Sequence, residues 1–199
     1  MITSASEYPI TFTILWLAFA ILWAGKSLVL RRGREYAKNR KFVDKNVRFK
    51  YVSYFVYLCQ LVIVIPTFWS DSKLLLKFYD SDQLRLVGIA LSFTGLILYL
   101  YAQKHLGSNY SPCFDSHEPL SLISTGPYGS IRHPGWLSKV LTGVGTILLS
   151  GSLWFLPMMI WLVVEMRRTI RVEERYLCES FAEYVGYKSR TWALMPYFY

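Results

Sequence analysis

The chain has 199 residues, 53% of them hydrophobic and 17% aromatic, with a mean hydropathy of +0.28 and a formal net charge of +9. That apolar fraction argues against an ordinary soluble domain and for a membrane protein, and the basic excess lies beside apolar spans with no nucleic-acid motif, which argues against a nucleic-acid partner. Cys59, Cys113 and Cys178 are odd in number, far apart and form no CxxC pair, so neither a disulfide framework nor a metal site is expected.

In chain order, apolar runs extend from about Ile10 to Leu30, Tyr51 to Trp69 and Leu84 to Ala102. Each is close to the roughly 20 residues that cross a bilayer as a helix. From Leu137 to about Met166 the chain is apolar except for Lys139 and Glu165, and it is interrupted by Ser150-Gly151-Ser152 and by Pro157. This pattern predicts a tight helical hairpin whose first arm, Trp136 to Ser150, is short for a full crossing. The expected fold is therefore all-α: one integral membrane helical bundle of about five transmembrane helices with a cytosolic C-terminal helix. No internal repeat or low-complexity segment divides it.

Orientation follows from the basic residues in the loops. Nine Lys and Arg lie between Arg31 and Lys50, none in residues 1 to 9, and two, Lys73 and Lys77, between the second and third spans. The first loop is thus expected in the cytosol, with the N-terminus outside. Five spans then bring the loop holding Arg132 and His133, and the tail from Arg167 with its six basic residues, to the cytosolic side. The first span is not expected to be a cleaved signal, because its N-terminal flank carries Glu7 and no positive charge.

Two polar concentrations stand out against this background. The first is Gly126-Pro127-Tyr128-Gly129-Ser130-Ile131-Arg132-His133-Pro134-Gly135-Trp136. Gly126-Pro127 and His133-Pro134 break regular structure, and proline suits the first turn of a helix, so the run predicts a loop feeding a helix that starts near Pro134. The second runs from Arg167 to Tyr187 and predicts a helix leaving the membrane. Arg167, Arg171, Glu174 and Arg175 recur at spacings of three and four and share a face. Interfacial arginines are ordinary, but anionic lipid repels carboxylates, so the adjacent Glu173 and Glu174 call for a cationic partner.

Taken together, Leu106-Gly107-x-x-Tyr110-Ser111-Pro112, Leu122-Ile123-Ser124-Thr125-Gly126-Pro127-Tyr128, Arg132-His133-Pro134-x-Trp136 and Glu173-Glu174-x-x-Leu177-x-x-x-Phe181, with Arg190 and Pro196 beyond, resemble the isoprenylcysteine carboxyl methyltransferase family and its phospholipid methyltransferase relatives. The resemblance covers roughly residues 84 to 198. It implies a catalytic core over 84–199, while the two N-terminal spans in 1–83 lie outside the resemblance. It also implies an S-adenosylmethionine site at the cytosolic face, between the loop before span four and the C-terminal helix. Carried over by position, cofactor contacts fall on Leu120, Ser121, Leu122, Ile123, Tyr128, Arg132, His133, Pro134, Gly135, Trp136 and Glu173, and catalytic roles on Arg168, Arg171 and Glu174. The chemistry is compatible. The cofactor's sulfonium and ammonium suit Glu173 or Glu174, its carboxylate suits Arg132 or free N–H groups at a helix N-terminus, and its adenine can pack on Tyr128 or Trp136. Both aromatics also fit an interfacial belt.

The departures bear on the acceptor. Where the family commonly places an arginine four residues before the first glutamate to hold a substrate carboxylate, this chain has Thr169, flanked by Arg168 and Arg171. Leu120 stands where a histidine is usual, Trp136 where a tyrosine often follows His-Pro, and the step from Phe181 to Tyr184 is one residue short. The leading expectation is methyl transfer to the carboxylate of an isoprenylated cysteine or similar lipophilic acceptor, which needs alignment rather than a base. Alternatives are N-methylation of a phospholipid headgroup, which needs a base, S-methylation of a small thiol, a sterol-type membrane reductase using a nicotinamide cofactor, and a membrane scaffold without activity.

Overall fold

A computed structural model describes residues 81–110, 119–153 and 155–195. The first two expected spans lie outside these residues. The described chain is helical, with an isolated β-bridge between Ile131 and Trp192, in the order α1 (Asp82–Leu106), a 3₁₀ turn (Gly107–Asn109), a second 3₁₀ turn (Gly126–Gly129), α2 (Pro134–Ser150), α3 (Phe155–Ser180) and α4 (Tyr184–Ser189).

Helix α1 contains the third expected span, begins after the N-cap Ser81 and ends where Gly107 takes φ +50. Together with the turn that follows, it is the one stretch among the described residues, Gln83–Asn109, long and apolar enough by length and composition to cross a membrane. Its outward positions are apolar: Leu86, Val87 and Ile97 are exposed.

Small residues let α1 and α2 approach closely. A Cβ on Gly88 would sit 2.6 Å from both Gly145 O and Leu149 N, and one on Gly95 would sit 2.8 Å from Ser138 O. Gly88, Ser92 and Gly95 on α1 therefore face Ser138, Thr142 and Gly145 on α2 along a seam where backbone meets backbone, the arrangement by which apolar helices associate without a hydrophobic driving force. Ser92, Thr142 and Thr146 donate their hydroxyls to the carbonyl four residues back, which satisfies them inside the seam.

Helix α2 starts at Pro134, as the His-Pro step predicts, and ends at Gly151 with φ +62. Its 17 residues rise about 26 Å, short of the roughly 30 Å hydrocarbon core. The turn at 151–153 leads into α3, as the hairpin reading requires, but α2 packs most extensively on α1; against α3, Met159 covers Gly143. The apolar segment and the charged tail are one helix: α3 runs unbroken for 26 residues, about 39 Å, from Phe155 to Ser180. It stops seven residues before the expected end near Tyr187. After the break at 181–183 the short α4 turns Tyr184 and Tyr187 inward, with Tyr184 1% exposed.

Candidate functional site

The polar end of the bundle is assembled from the loop before α2, the second half of α3, α4 and the segment after it. The loop is fixed first by backbone. Arg132 and His133 donate their N–H groups to Trp192 O (2.8 Å) and Ala193 O (3.0 Å), and Trp192 donates to Ser130 O (2.9 Å), forming the parallel Ile131–Trp192 bridge. Tyr187 Oη donates to Tyr128 O at 2.6 Å and ties the 3₁₀ turn to α4. These contacts bring two segments about sixty residues apart in sequence into register.

A buried ion-pair network then locks the loop to α3. Glu174 Oε1 accepts from Arg132 Nε at 2.7 Å and lies 3.4 Å from His133 Nε2, while Glu174 Oε2 is 2.6 Å from Lys188 Nζ. His133 Nδ1 is 3.2 Å from Glu173 Oε2. Arg132 also donates Nη1 to Lys188 O and Thr191 O. Burial alone would push His133 down, but the charges and hydrogen bonds of Glu173 and Glu174 outweigh it and hold the imidazole up at about 9, so it is an imidazolium at neutral pH. Burial acts on Glu174 in the opposite sense and would raise it. Hydrogen bonds from His133, Lys188 and Arg132 overcome that effect and keep its carboxyl well below the usual range. Glu174 is thus a permanent anion and a poor proton acceptor. The cationic partner that the paired glutamates call for is present three times over.

The predicted site residues divide into those brought together and those kept apart. His133, Pro134, Glu173 and Glu174 converge, and Tyr128 lies close enough that Glu173, after burial, helps push its phenol up. Arg132 lies in the cluster, but its Nε and Nη1 are engaged by Glu174 and by two carbonyls, so it orders Glu174 rather than presenting an open fork to a cofactor carboxylate. The free donor at that place is at the start of α2. Pro134 has no N–H, Trp136 and Leu137 already donate to His133 O, and Gly135 keeps an N–H without a backbone partner among the described residues, with open space where a Cβ would stand. Trp136 is half-buried with Lys139 Nζ 3.9 Å above its ring.

Arg168 and Arg171 are not brought to the cluster. Arg168, its side chain 68% exposed, pairs with Glu165 on its own helix, and Arg171 Nε donates to Arg167 O. The stripe of α3 that faces inward is Met166, Thr169, Ile170 and Glu174, and the two arginines lie on the opposite side of the turn. Thr169 replaces them at the buried position, 5% exposed, and its Oγ1 has no hydrogen-bond partner among the described residues.

Other contributors carried little sequence signal: Lys188, Tyr184, the 191–193 segment, and Asn109 and His105 at the end of α1. Asn109 Oδ1 accepts from Leu120 N (2.7 Å) and Ser121 N (3.0 Å), and His105 Nδ1 lies 3.3 Å from Thr125 Oγ1.

Among the described residues, apolar helices are closed at one end by an ion-paired polar cap, with histidine and carboxylates converging on a helix N-terminus. A family model described as phospholipid methyltransferase matches residues 84–184, just over half of the 199 residues. The chain belongs to the phospholipid methyltransferase family. Among solved structures it is similar to the eukaryotic intramembrane Ras methyltransferase ICMT (isoprenylcysteine carboxyl methyltransferase), with a TM-score of 0.55 and 15% identity over 78% of this chain. That likeness is one of fold, and this chain spans about half of that protein, 54% of its length. No curated protein matches the sequence.

Proposed function

We propose that the protein is an integral membrane methyltransferase that uses S-adenosylmethionine and transfers the methyl group to a lipophilic acceptor. The observation that carries this reading is the convergence of His133, Glu173 and the open Gly135 N–H at the α2 N-terminus. The residues fit the cofactor. Glu174 is saturated by cations, whereas Glu173 has His133 on one oxygen and a side chain 18% exposed, which leaves it able to face the cofactor's ammonium or sulfonium. The Gly135 N–H and the positive end of α2 suit its carboxylate. Leu120 to Ile123, Tyr128 and Trp136 are the apolar and aromatic groups for the nucleoside. When bound, the cofactor supplies an electrophilic methyl group; the protein supplies alignment, charge and exclusion of water.

In this reading Arg132, Glu174 and Lys188 hold the cap closed, and the active site lies on the cytosolic side with the N-terminus outside. The leading acceptor is the carboxylate of an isoprenylated cysteine or a similar amphiphile, supported by the likeness in fold to an isoprenylcysteine carboxyl methyltransferase. A phospholipid amine is the second reading, supported by the family match. The test is incubation of purified protein with methyl-labelled S-adenosylmethionine and a panel of prenylcysteine, phosphatidylethanolamine and thiol acceptors. Label on one lipophilic class assigns the acceptor; label on none of them removes the reading.

A further inference from the structure

The end of α1 grips the segment that precedes the Gly-Pro-Tyr turn at two points. His105 in the last turn of α1 and Asn109 in the 3₁₀ turn that follows hold its two ends. At one end Asn109 Oδ1 accepts from the consecutive N–H groups of Leu120 and Ser121 while its Nδ2 donates to Ser121 Oγ at 3.2 Å. At the other, His105 meets Thr125 Oγ1, and its ring lies directly under Gly126, whose φ is +60. Between these points Leu122 and Ile123 are half-buried, and no backbone group of Leu122, Ile123 or Ser124 hydrogen-bonds within the described residues. A segment pinned at both ends with unused peptide groups between them is a strap whose N–H and C=O edges are available to a planar polar ligand.

We propose that Asn109 is a positioning residue for the cofactor: it sets the strap 120–125 so that the free peptide edges of Leu122 to Ser124 face the nucleoside base of S-adenosylmethionine. This rests on the methyltransferase reading above. Asn109 itself touches neither cofactor nor acceptor. One oxygen serving two adjacent N–H groups fixes both the height and the rotation of the strap, which a single hydrogen bond would not. Three hydrogen bonds from one side chain also restrain a loop closed across twelve positions at modest entropic cost.

The experiment compares wild-type protein with Asn109→Ala and Asn109→Asp in detergent, measuring S-adenosylhomocysteine affinity by calorimetry, the melting temperature, and amide exchange over 120–124. Asn109→Ala is expected to weaken S-adenosylhomocysteine about tenfold, as for the loss of one to two net hydrogen bonds, to raise exchange at Leu120 and Ser121, and to shift the melting temperature little. Asn109→Asp keeps an oxygen for the two N–H groups and is expected to recover most of the affinity. Affinity unchanged in Asn109→Ala, or Asn109→Asp no better than Asn109→Ala, overturns the inference. Wild-type protein that does not bind S-adenosylhomocysteine overturns the methyltransferase reading and the inference with it.

Discussion

Glu174→Gln is the sharpest perturbation of the cap. Glutamine fills the same volume but removes the charge that neutralises Arg132, whose side chain is 10% exposed, and His133, whose side chain is 3% exposed. Lys188, 45% exposed, can turn to solvent; the other two cannot. Leaving a buried charge without its partner costs about 3–5 kcal/mol, a large share of the roughly 5–15 kcal/mol by which a domain is stable. The pair Arg168–Glu165, with Arg168 68% exposed, contributes about 0–1 kcal/mol and serves as the control. Unfolding of the solubilised protein by heat and by denaturant should show a fall of several kcal/mol for Glu174→Gln and almost none for Arg168→Ala. The His133 imidazole should also drop from about 9 toward its ordinary value, followed by nitrogen NMR of the ring. In a double-mutant cycle, Arg132→Met with Glu174→Leu should be less damaging than the two single changes added together. Equal midpoints for wild type and Glu174→Gln would refute the reasoning.

Further outcomes follow from the same geometry. Stability should decline on the alkaline side, because His133 is raised to about 9 from its ordinary 6.5: its contribution is full below pH 6.5, falls between 6.5 and 9 and is gone above, on the order of 3 kcal/mol, and His133→Gln should flatten that limb in a pH series of melting curves. Glu174, held low, contributes above its ordinary 4.5 and loses that contribution as the medium becomes strongly acidic. Arg168→Ala and Arg171→Ala should leave turnover and melting temperature nearly unchanged, whereas Thr169→Val should hold or raise the melting temperature, since an unpaired buried hydroxyl costs about 1–3 kcal/mol; a clear drop would show that Thr169 Oγ1 is bonded. Gly145→Ala should destabilise by about 1–3 kcal/mol or more, measured by denaturant unfolding, because its Cβ would meet Gly88 O at 2.6 Å and Ser92 N at 2.8 Å, backbone atoms that cannot swing aside.

What the sequence made legible was decided locally. Pro134 at a helix start, Gly151 at a helix end and the apolar run within α1 each follow from the residue's own backbone or solvation preference, and the structure has them at those places. The need of Glu173 and Glu174 for cations was also readable, because adjacent carboxylates at an interface repel both each other and anionic lipid. The identity of the cations was not. Helical spacing puts Arg171 beside Glu174 within α3, but only the rotation of α3 against α2 and α4 decides that Thr169 faces in and the arginines face out, and that rotation is a tertiary property. The glycine seam at Gly88, Gly95 and Gly145 was visible as letters, yet glycine spacing on one helix carries no meaning until its partner is known. Lys188 and the 191–193 segment lay too far along the chain for any local rule to connect them with Arg132.

In the proposed function, the cap around His133 and Glu173 holds S-adenosylmethionine. Thermal unfolding of the solubilised protein with S-adenosylhomocysteine or NADPH tests it most directly, with wild type and Glu173→Gln side by side. S-adenosylhomocysteine should raise the wild-type midpoint and raise it much less in Glu173→Gln, and NADPH should have no effect. A shift with NADPH alone, or an S-adenosylhomocysteine shift of equal size in Glu173→Gln, would contradict it.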